Sequence, residues 1–245
     1  MILFYMFFPV IVLIPASFIS SSYVMFPPPG FSLRWYQEFL SDPIWIESAL
    51  LSLEISVLTA VVTVIVGGLA SMGLVRGDFR GKDLLSLFIV SPMIVPAILF
   101  AVAEFFTLTA MGLKGTLVGF VLVYVVLALP RVVSVIASRL QSFDVALEEA
   151  ARNLGASRWQ AYMRITVPII APAVFTAALF AFHTAFNETI VAVFISGPGF
   201  VTLPRQMYNA AVEEANLTVA AVSALQVVAT VIILGSSVLL GRDRS

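Results

Sequence analysis

The sequence predicts an all-α, polytopic integral membrane protein with about six transmembrane helices and one cytoplasmic helical hairpin. Three observations carry this. First, 60% of the 245 residues are hydrophobic, 11% are charged, and the mean hydropathy is +1.05. A soluble domain carries about 25% charged residues, so this chain cannot cover a globular surface with polar groups. Second, apolar runs of bilayer length recur along the chain. A spanning helix needs about 20 such residues, and in lipid its backbone polar groups must be paired internally. Third, one long polar segment, residues 144–168, interrupts the apolar runs.

The same composition sets limits on function. A single transmembrane domain over residues 1–245 is expected. With a net charge of −1 and no basic patch, a nucleic-acid partner is not expected. The chain has no cysteine, which excludes disulfides, thiolate chemistry and cysteine metal sites. Its one histidine excludes a histidine-rich metal centre.

The first expected span is residues 2–20. It lacks a basic leading region and a clean small-x-small cleavage site, so a retained helix is favoured over a signal peptide. Pro27-Pro28-Pro29 forbids helix in the segment that follows. Phe31, Trp35 and Tyr36 suit an interfacial aromatic belt. The second span, residues 46–75, is longer than a bilayer requires, so it should tilt or project. Residues 84–109 form the third, with Pro92 and Pro96 predicting a kink or locally freed backbone. After a tight turn at 111–115 comes the fourth, residues 116–135, containing Pro130. The fifth is residues 169–195, the Gly- and Pro-rich loop is 196–216, and the sixth span is residues 217–240. Gly67-Gly68 and Gly73 suit close helix packing.

Short-loop Lys and Arg set the orientation. Arg76, Arg80, Lys82, Arg131, Arg139, Arg152, Arg158, Arg164, Arg242 and Arg244 fall on one side; Arg34, Lys114 and Arg205 fall on the other. That is ten against three, all 13 basic residues. The first side is therefore cytoplasmic, with both termini and the polar segment.

The polar segment reads as two helices around a glycine turn. Asp144 is placed to cap the first helix, and Glu148 and Glu149 favour its N-terminal dipole. Gly155 suits a C′ stop. Ser157 with Gln160 fits a capping box that starts the second helix. Trp159 and Tyr162 offer apolar anchors, so the hairpin reads as a docking surface for a soluble partner.

Glu149-Ala150-Ala151, then Gly155, then Ile165-x-Val167-Pro168 resembles the EAA motif of type I ABC importer permeases. The family form ends Ile-x-Leu-Pro, so Val167 is a mild departure. The resemblance implies a coupling helix seated in a cleft of an ATP-hydrolysing subunit, carried here by Glu148, Glu149, Ala150, Ala151, Gly155 and Ala156. Three further stretches are similar to the spermidine/putrescine branch. They are Gly112-Leu113-Lys114-Gly115-Thr116 with Leu127-Ala128-Leu129-Pro130, Phe194 through Gly199 with Thr202-Leu203-Pro204, and Phe31-Ser32-Leu33-x-Trp35-Tyr36. The resemblance implies a bacterial inner-membrane permease that imports a small polar or cationic, polyamine-like solute. Relatives carrying opine-type amino compounds, iron, thiamine or sulfate share parts of these patterns. It also implies two ATP-binding cassette ATPase subunits, a second and different permease subunit, and a periplasmic or lipid-anchored solute-binding protein.

The chain has no Gly-rich nucleotide loop and no nucleophile–base set, so it is expected to be a non-catalytic subunit without a cofactor of its own; ATP and Mg belong to the partner ATPases. Ionisable groups inside a span cost about 2.5–3.5 kcal/mol on insertion scales and usually face a bundle interior or water. Glu54, Glu104, His183, Asn187 and Glu188 are the candidates for a translocation path. His183 and Asn187 share a helix face at i, i+4, with Glu188 about 100° further round. The bland alternatives are packed, hydrogen-bonded residues or groups that reach water or a partner subunit. Glu213-Glu214 reads as a solvated face or a contact for the binding protein. Two rival functions are an ATP-independent secondary transporter and a membrane scaffold.

Overall fold

The structure, a computed structural model, describes residues 12–21, 30–212 and 216–242. Most of the first expected span, Pro27-Pro28-Pro29, Glu213-Glu214 and residues 243–245 lie outside the described residues. Among those described, the regular elements are helical, joined by two isolated β-bridges, Ile19 with Phe31 and Gly197 with Phe200.

The chain enters the bundle through α1 (Arg34–Ser41), which buries Trp35 and Phe39. Trp35 Nε1 donates to the Ile19 carbonyl at 2.9 Å, and the Tyr36 hydroxyl lies 2.7 Å from Ser17 Oγ. Trp35 and Tyr36 thus tie loop to helix, rather than only marking an interface; Phe31 is the exposed aromatic.

α2 (Pro43–Arg76) has 34 residues, about 51 Å at 1.5 Å per residue. Asp42 accepts from the Ile44 N–H at 2.9 Å, and Pro43 occupies the first turn, where its missing N–H is not needed. Apart from Trp45 and Ile55, the buried face of α2 is made of small residues: Ser48, Ser52, Ser56, Thr59, Ala60, Thr63, Gly67 and Ser71. Ser56, Thr63 and Ser71 each donate to the carbonyl four residues back at 2.6 Å, so the hydroxyls are paired within the helix.

The expected third span is not one helix. α3 (Lys82–Val90) runs into a 3₁₀ turn at Ser91–Met93, and α4 (Ala97–Ala110) leaves at 102° to that pair. Pro92 and Pro96 lack N–H donors, and Pro96 adopts an extended ψ of 131°, so the kink read from the prolines becomes a full break. α5 (Leu117–Gln141) is capped by Thr116, whose Oγ1 accepts from Gly119 N–H at 3.1 Å. Arg131 already lies within the expected 116–135 span, and the helix runs six residues beyond Val135 to take in Arg139 as well, so both are helical and not loop charges.

α6 (Ala146–Asn153) and α7 (Arg158–Ala161) form the hairpin. The second arm is not a separate short helix. It continues through a π-turn, Tyr162–Thr166, into α8 (Val167–Asn187), giving one apolar helix over Arg158–Asn187. Pro168 explains the π-turn: it cannot donate to residue 164, and the wider turn lets Val167 N–H bond to Tyr162 instead. α8 stops at Asn187, and α9 (Ile190–Ile195) follows. α10 (Leu203–Val212) lies within the expected 196–216 loop, and α11 (Thr218–Arg242) matches the sixth span. By length and hydropathy three helices can cross a membrane, or four counting the bent pair, so the six-span expectation is met only in part among the described residues.

α2, α5 and α8 pack on one another. One core cluster includes Ala60, Ala128, Val132, Ile136, Ile170 and Ala177. A second joins Ile55, Ala101, Phe120, Tyr124 and Ile195. Gly67 packs tightly against α5: a Cβ there would lie 2.6 Å from Val132 Cγ1, whereas Gly68 and Gly73 face open space. Gly67→Val should therefore cost about 1–3 kcal/mol through overpacking against a stiff β-branched neighbour. Thermal unfolding in detergent should show the loss, and Val132→Ala in the same chain should recover part of it.

Candidate functional site

Two regions gather the polar residues of this apolar chain. The first is the hairpin. Asp144 Oδ1 accepts from Ala146 N–H at 2.9 Å, opening α6. Gly155 has φ +93°, the left-handed conformation that glycine adopts without a Cβ penalty. Its N–H bonds to the Arg152 carbonyl and that of Ala156 to the Ala151 carbonyl, both at 3.0–3.1 Å. That pair of bonds is a Schellman ending. Ser157 and Gln160 form the reciprocal capping box, at 2.9 and 3.2 Å. The hairpin's turns are thus closed by contacts among near neighbours.

Its two glutamates diverge. Glu149 is exposed and, with Arg152, Asn153, Ala156, Ser157 and Arg158, lines a polar depression of about 510 Å³. Ala150 and Gly155 are exposed, while Ala151 and Ala156 are half-buried. Glu148 turns inward. It pairs with Arg76 Nη1 at 2.8 Å and accepts a hydrogen bond from the buried Thr166 hydroxyl. Tyr162, expected as an outward anchor, also turns inward and donates to Met72 Sδ at 2.8 Å. The most exposed apolar groups are Leu154, 90% accessible, and Trp159, 67% accessible, with Val145, Leu147 and Met163 also exposed. Sequence reading missed Leu154; a leucine just before the stop glycine of a polar hairpin was the available signal.

The second region is a cavity of about 350 Å³ lined by Pro92, Met93, Leu127, Arg131, His183, Thr184, Asn187 and Glu188. Asn187 Nδ2 lies 3.1 Å from His183 Nδ1 and donates to the His183 carbonyl at 3.0 Å, confirming their shared face. Glu188 is not one helical step further round, because α8 ends before it, with Glu188 extended at ψ 109°. The break lets its side chain line the same cavity. Glu188 Oε1 accepts from Val191 N–H at 3.1 Å, which caps α9, and the Tyr124 hydroxyl donates to the Glu188 carbonyl at 3.3 Å. Glu54 and Glu104 are not among the lining residues: Glu54 is exposed on α2, and Glu104 is half-buried on α4. Arg131 was counted as a loop charge, yet Leu127 and Arg131 stand at i, i+4 on the wall. The cavity therefore holds one guanidinium, one carboxylate, an imidazole and the hydrogen-bonding groups of Thr184 and Asn187. It can receive a small polar solute and hold an ammonium against the carboxylate.

The family described as "Binding-protein-dependent transport system inner membrane component" matches residues 63–243. The chain is 29% identical over 241 residues to the spermidine/putrescine transport system permease protein PotC of Escherichia coli K12, covering 98% of this chain and 91% of PotC. It is 33% identical over 213 residues to the putrescine transport system permease protein PotI of the same strain, covering 84% and 75% of the two chains. Molybdenum transport system permease protein ModB, also from that strain, is 32% identical over 189 residues, with coverage of 69% and 81%. Among solved structures, a chain of a bacterial ABC transporter that imports the acidic polysaccharide alginate superposes with a TM-score of 0.74 at 20% identity. That match covers 96% of this chain and 90% of the other, and shows a shared fold.

The capping bond at the α8–α9 break can be separated from the Glu188 charge. Glu188→Gln keeps an acceptor for Val191 N–H and should leave thermal stability within about 0.5 kcal/mol of the parent. Glu188→Ala should lose about 0.5–2 kcal/mol, as for other lost caps. Melting curves of the two variants in detergent check the difference.

Proposed function

Because the chain belongs to the binding-protein-dependent transport system inner membrane component family, we propose that it is the permease half of an importer driven by separate ATPase subunits through its polar hairpin. It is a multi-pass inner-membrane transport subunit. In the assembly we propose, a second, different permease subunit stands beside it. Two ATPase subunits hold ATP and Mg below it, and a solute-binding protein delivers cargo from outside. Both termini and the hairpin are cytoplasmic in this arrangement. The observation that carries the reading is the hairpin's outward face. Glu149 and the neighbouring polar groups surround a depression, with Leu154 and Trp159 standing free beside it. Exposed apolar anchors with a polar rim are what a docking contact needs. When ATP closes the ATPase pair, displacement of this hairpin switches the cavity between inward and outward access. The switch needs two bundle arrangements that ATP binding weights differently.

For cargo, the similarity to PotC and PotI supports a polyamine-like cation. Glu188 would hold an ammonium, with Asn187 and His183 accepting or relaying hydrogen bonds. Away from bulk water such an attraction is stronger than in solution. A second reading, an amino compound that also bears a carboxylate, is favoured by Arg131 on the same cavity wall.

Two experiments test these readings. Glu149→Lys and Gly155→Pro should abolish uptake and prevent the ATPase subunit from co-purifying; full uptake with full assembly would remove the hairpin from the drive. For cargo, Glu188→Gln should cut putrescine uptake by about 10-fold or more, the scale of a lost charge-assisted bond. Arg131→Gln should spare putrescine if the cargo is a simple cation. Selective loss of an amino-acid competitor's effect would instead establish the second reading.

A further inference from the structure

The hairpin is linked to the outer surface by two routes, and they differ in stiffness. The covalent route climbs from α7 into α8. It passes the π-turn at Tyr162–Thr166 and ends at the break after Asn187. Both are places where a helix gives. The other route is α2, an unbroken helix from Pro43 to Arg76 with its proline confined to the first turn. α2 lies about 70 residues before the hairpin, so only side chains can join them.

At its inner end α2 is held by a clasp. Arg76 pairs with Glu148 of α6 at 2.8 Å, the one ion pair among the described residues, and Glu148 also accepts from Thr166 of the π-turn. The Arg76 guanidinium lies 5.4 Å from the Phe143 ring centroid and 5.9 Å from that of Tyr162, within cation–π reach. Tyr162 in turn reaches back to Met72 on α2. One arginine therefore ties α2 to the end of α5, to α6 and to the π-turn. The pair is mostly sheltered, with side-chain exposures of 28% and 17%, so salt screens it less than a free surface pair.

Near its outer end α2 is held again. Ser52 Oγ accepts from Leu203 N–H at 2.7 Å in a buried bond. Leu203 opens α10 and packs in one cluster with Trp45 and Phe39. From residue 52 to residue 76 is about 36 Å of helix, enough to cross the roughly 30 Å core of a bilayer.

We propose that Arg76, Glu148 and Thr166 are positioning residues that make α2 the rod carrying displacement between the hairpin and the outer loops. Glu148 then acts inside the chain, beside Glu149, which faces the ATPase. This rests on the proposed role of the hairpin. A rod clasped at both ends makes ATP binding on one side and binding-protein contact on the other mutually dependent, and such coupling is reciprocal.

The test is a linkage measurement on the whole transporter in lipid nanodiscs, with both permease subunits and the ATPase pair. The affinity of the unliganded binding protein is measured with and without Mg and a non-hydrolysable ATP analogue. In the parent, the nucleotide should shift that affinity by about 5-fold or more, as typical couplings do. Arg76→Gln should bring the ratio near unity, although the ATPase still co-purifies and the analogue still binds; Arg76→Lys, which keeps the charge, should retain most of the shift. Ser52→Ala, at the other clasp, should also reduce it. A parent-sized ratio in Arg76→Gln would overturn the rod while leaving the hairpin reading intact. If the parent neither retains the ATPase nor shows a ratio, the hairpin reading fails and the rod with it. Should Arg76→Gln not assemble, Thr166→Val, isosteric and lacking only the hydroxyl, decides by the same criterion.

Discussion

In hydrocarbon no backbone N–H or C=O can go unpaired, and the rest of this structure depends on that constraint. Helix satisfies it along α2, α5 and α8. Where helix fails, something else must serve the freed groups or the break must face water. Two breaks illustrate this. The α3–α4 break centres on Pro92 and Pro96, which have no N–H to strand. The α8–α9 break is served by the Glu188 carboxylate on Val191 N–H and by the Tyr124 hydroxyl on the Glu188 carbonyl. Both breaks border the same cavity, through Pro92, Met93 and Glu188. The irregular backbone and the polar site are one feature, because each requires the other to exist within a membrane.

The bundle around that cavity is held by close approach and not by oil-drop collapse, since lipid tails are as apolar as leucine. The small-residue face of α2 lets its backbone come near α5, and Ser71 Oγ lies 3.2 Å from the Val133 carbonyl as well as bonding to its own helix. Large apolar side chains such as Leu50, Ile65 and Leu69 point the other way, outward from the bundle. Packing energy and the placement of Ser52 against Leu203 thus come from one stripe of small residues.

The hairpin follows different rules because it is built mostly from local bonds. Its Asx cap, Schellman ending and capping box each close within a few residues. A segment stabilised this way can leave Leu154 and Trp159 free for a partner without unfolding. Glu148 is the exception: its bonds reach α2 and the π-turn, joining local structure to the bundle.

The sequence by itself determined residence in the bilayer, the family, and the hairpin with its caps. Those properties rest on composition, on motif spacing, and on contacts among residues within one or two turns. Gly155 and the Ser157–Gln160 box were legible because the partners are neighbours in the chain. Tertiary structure alone decided how the helices are rotated and where they break. α8 is apolar nearly all round, and α2 turns its small Ser, Thr and Gly residues inward, so an apolar periodicity does not say which side faces the core or the cavity. Hence His183 and Asn187 could be paired from sequence. In contrast, Arg131 was misread as a loop charge, Glu54 and Glu104 were not sorted from the cavity, and Glu148 was not told from Glu149. Glu148 meets Arg76 across some 70 residues, a contact set by packing that no local pattern records.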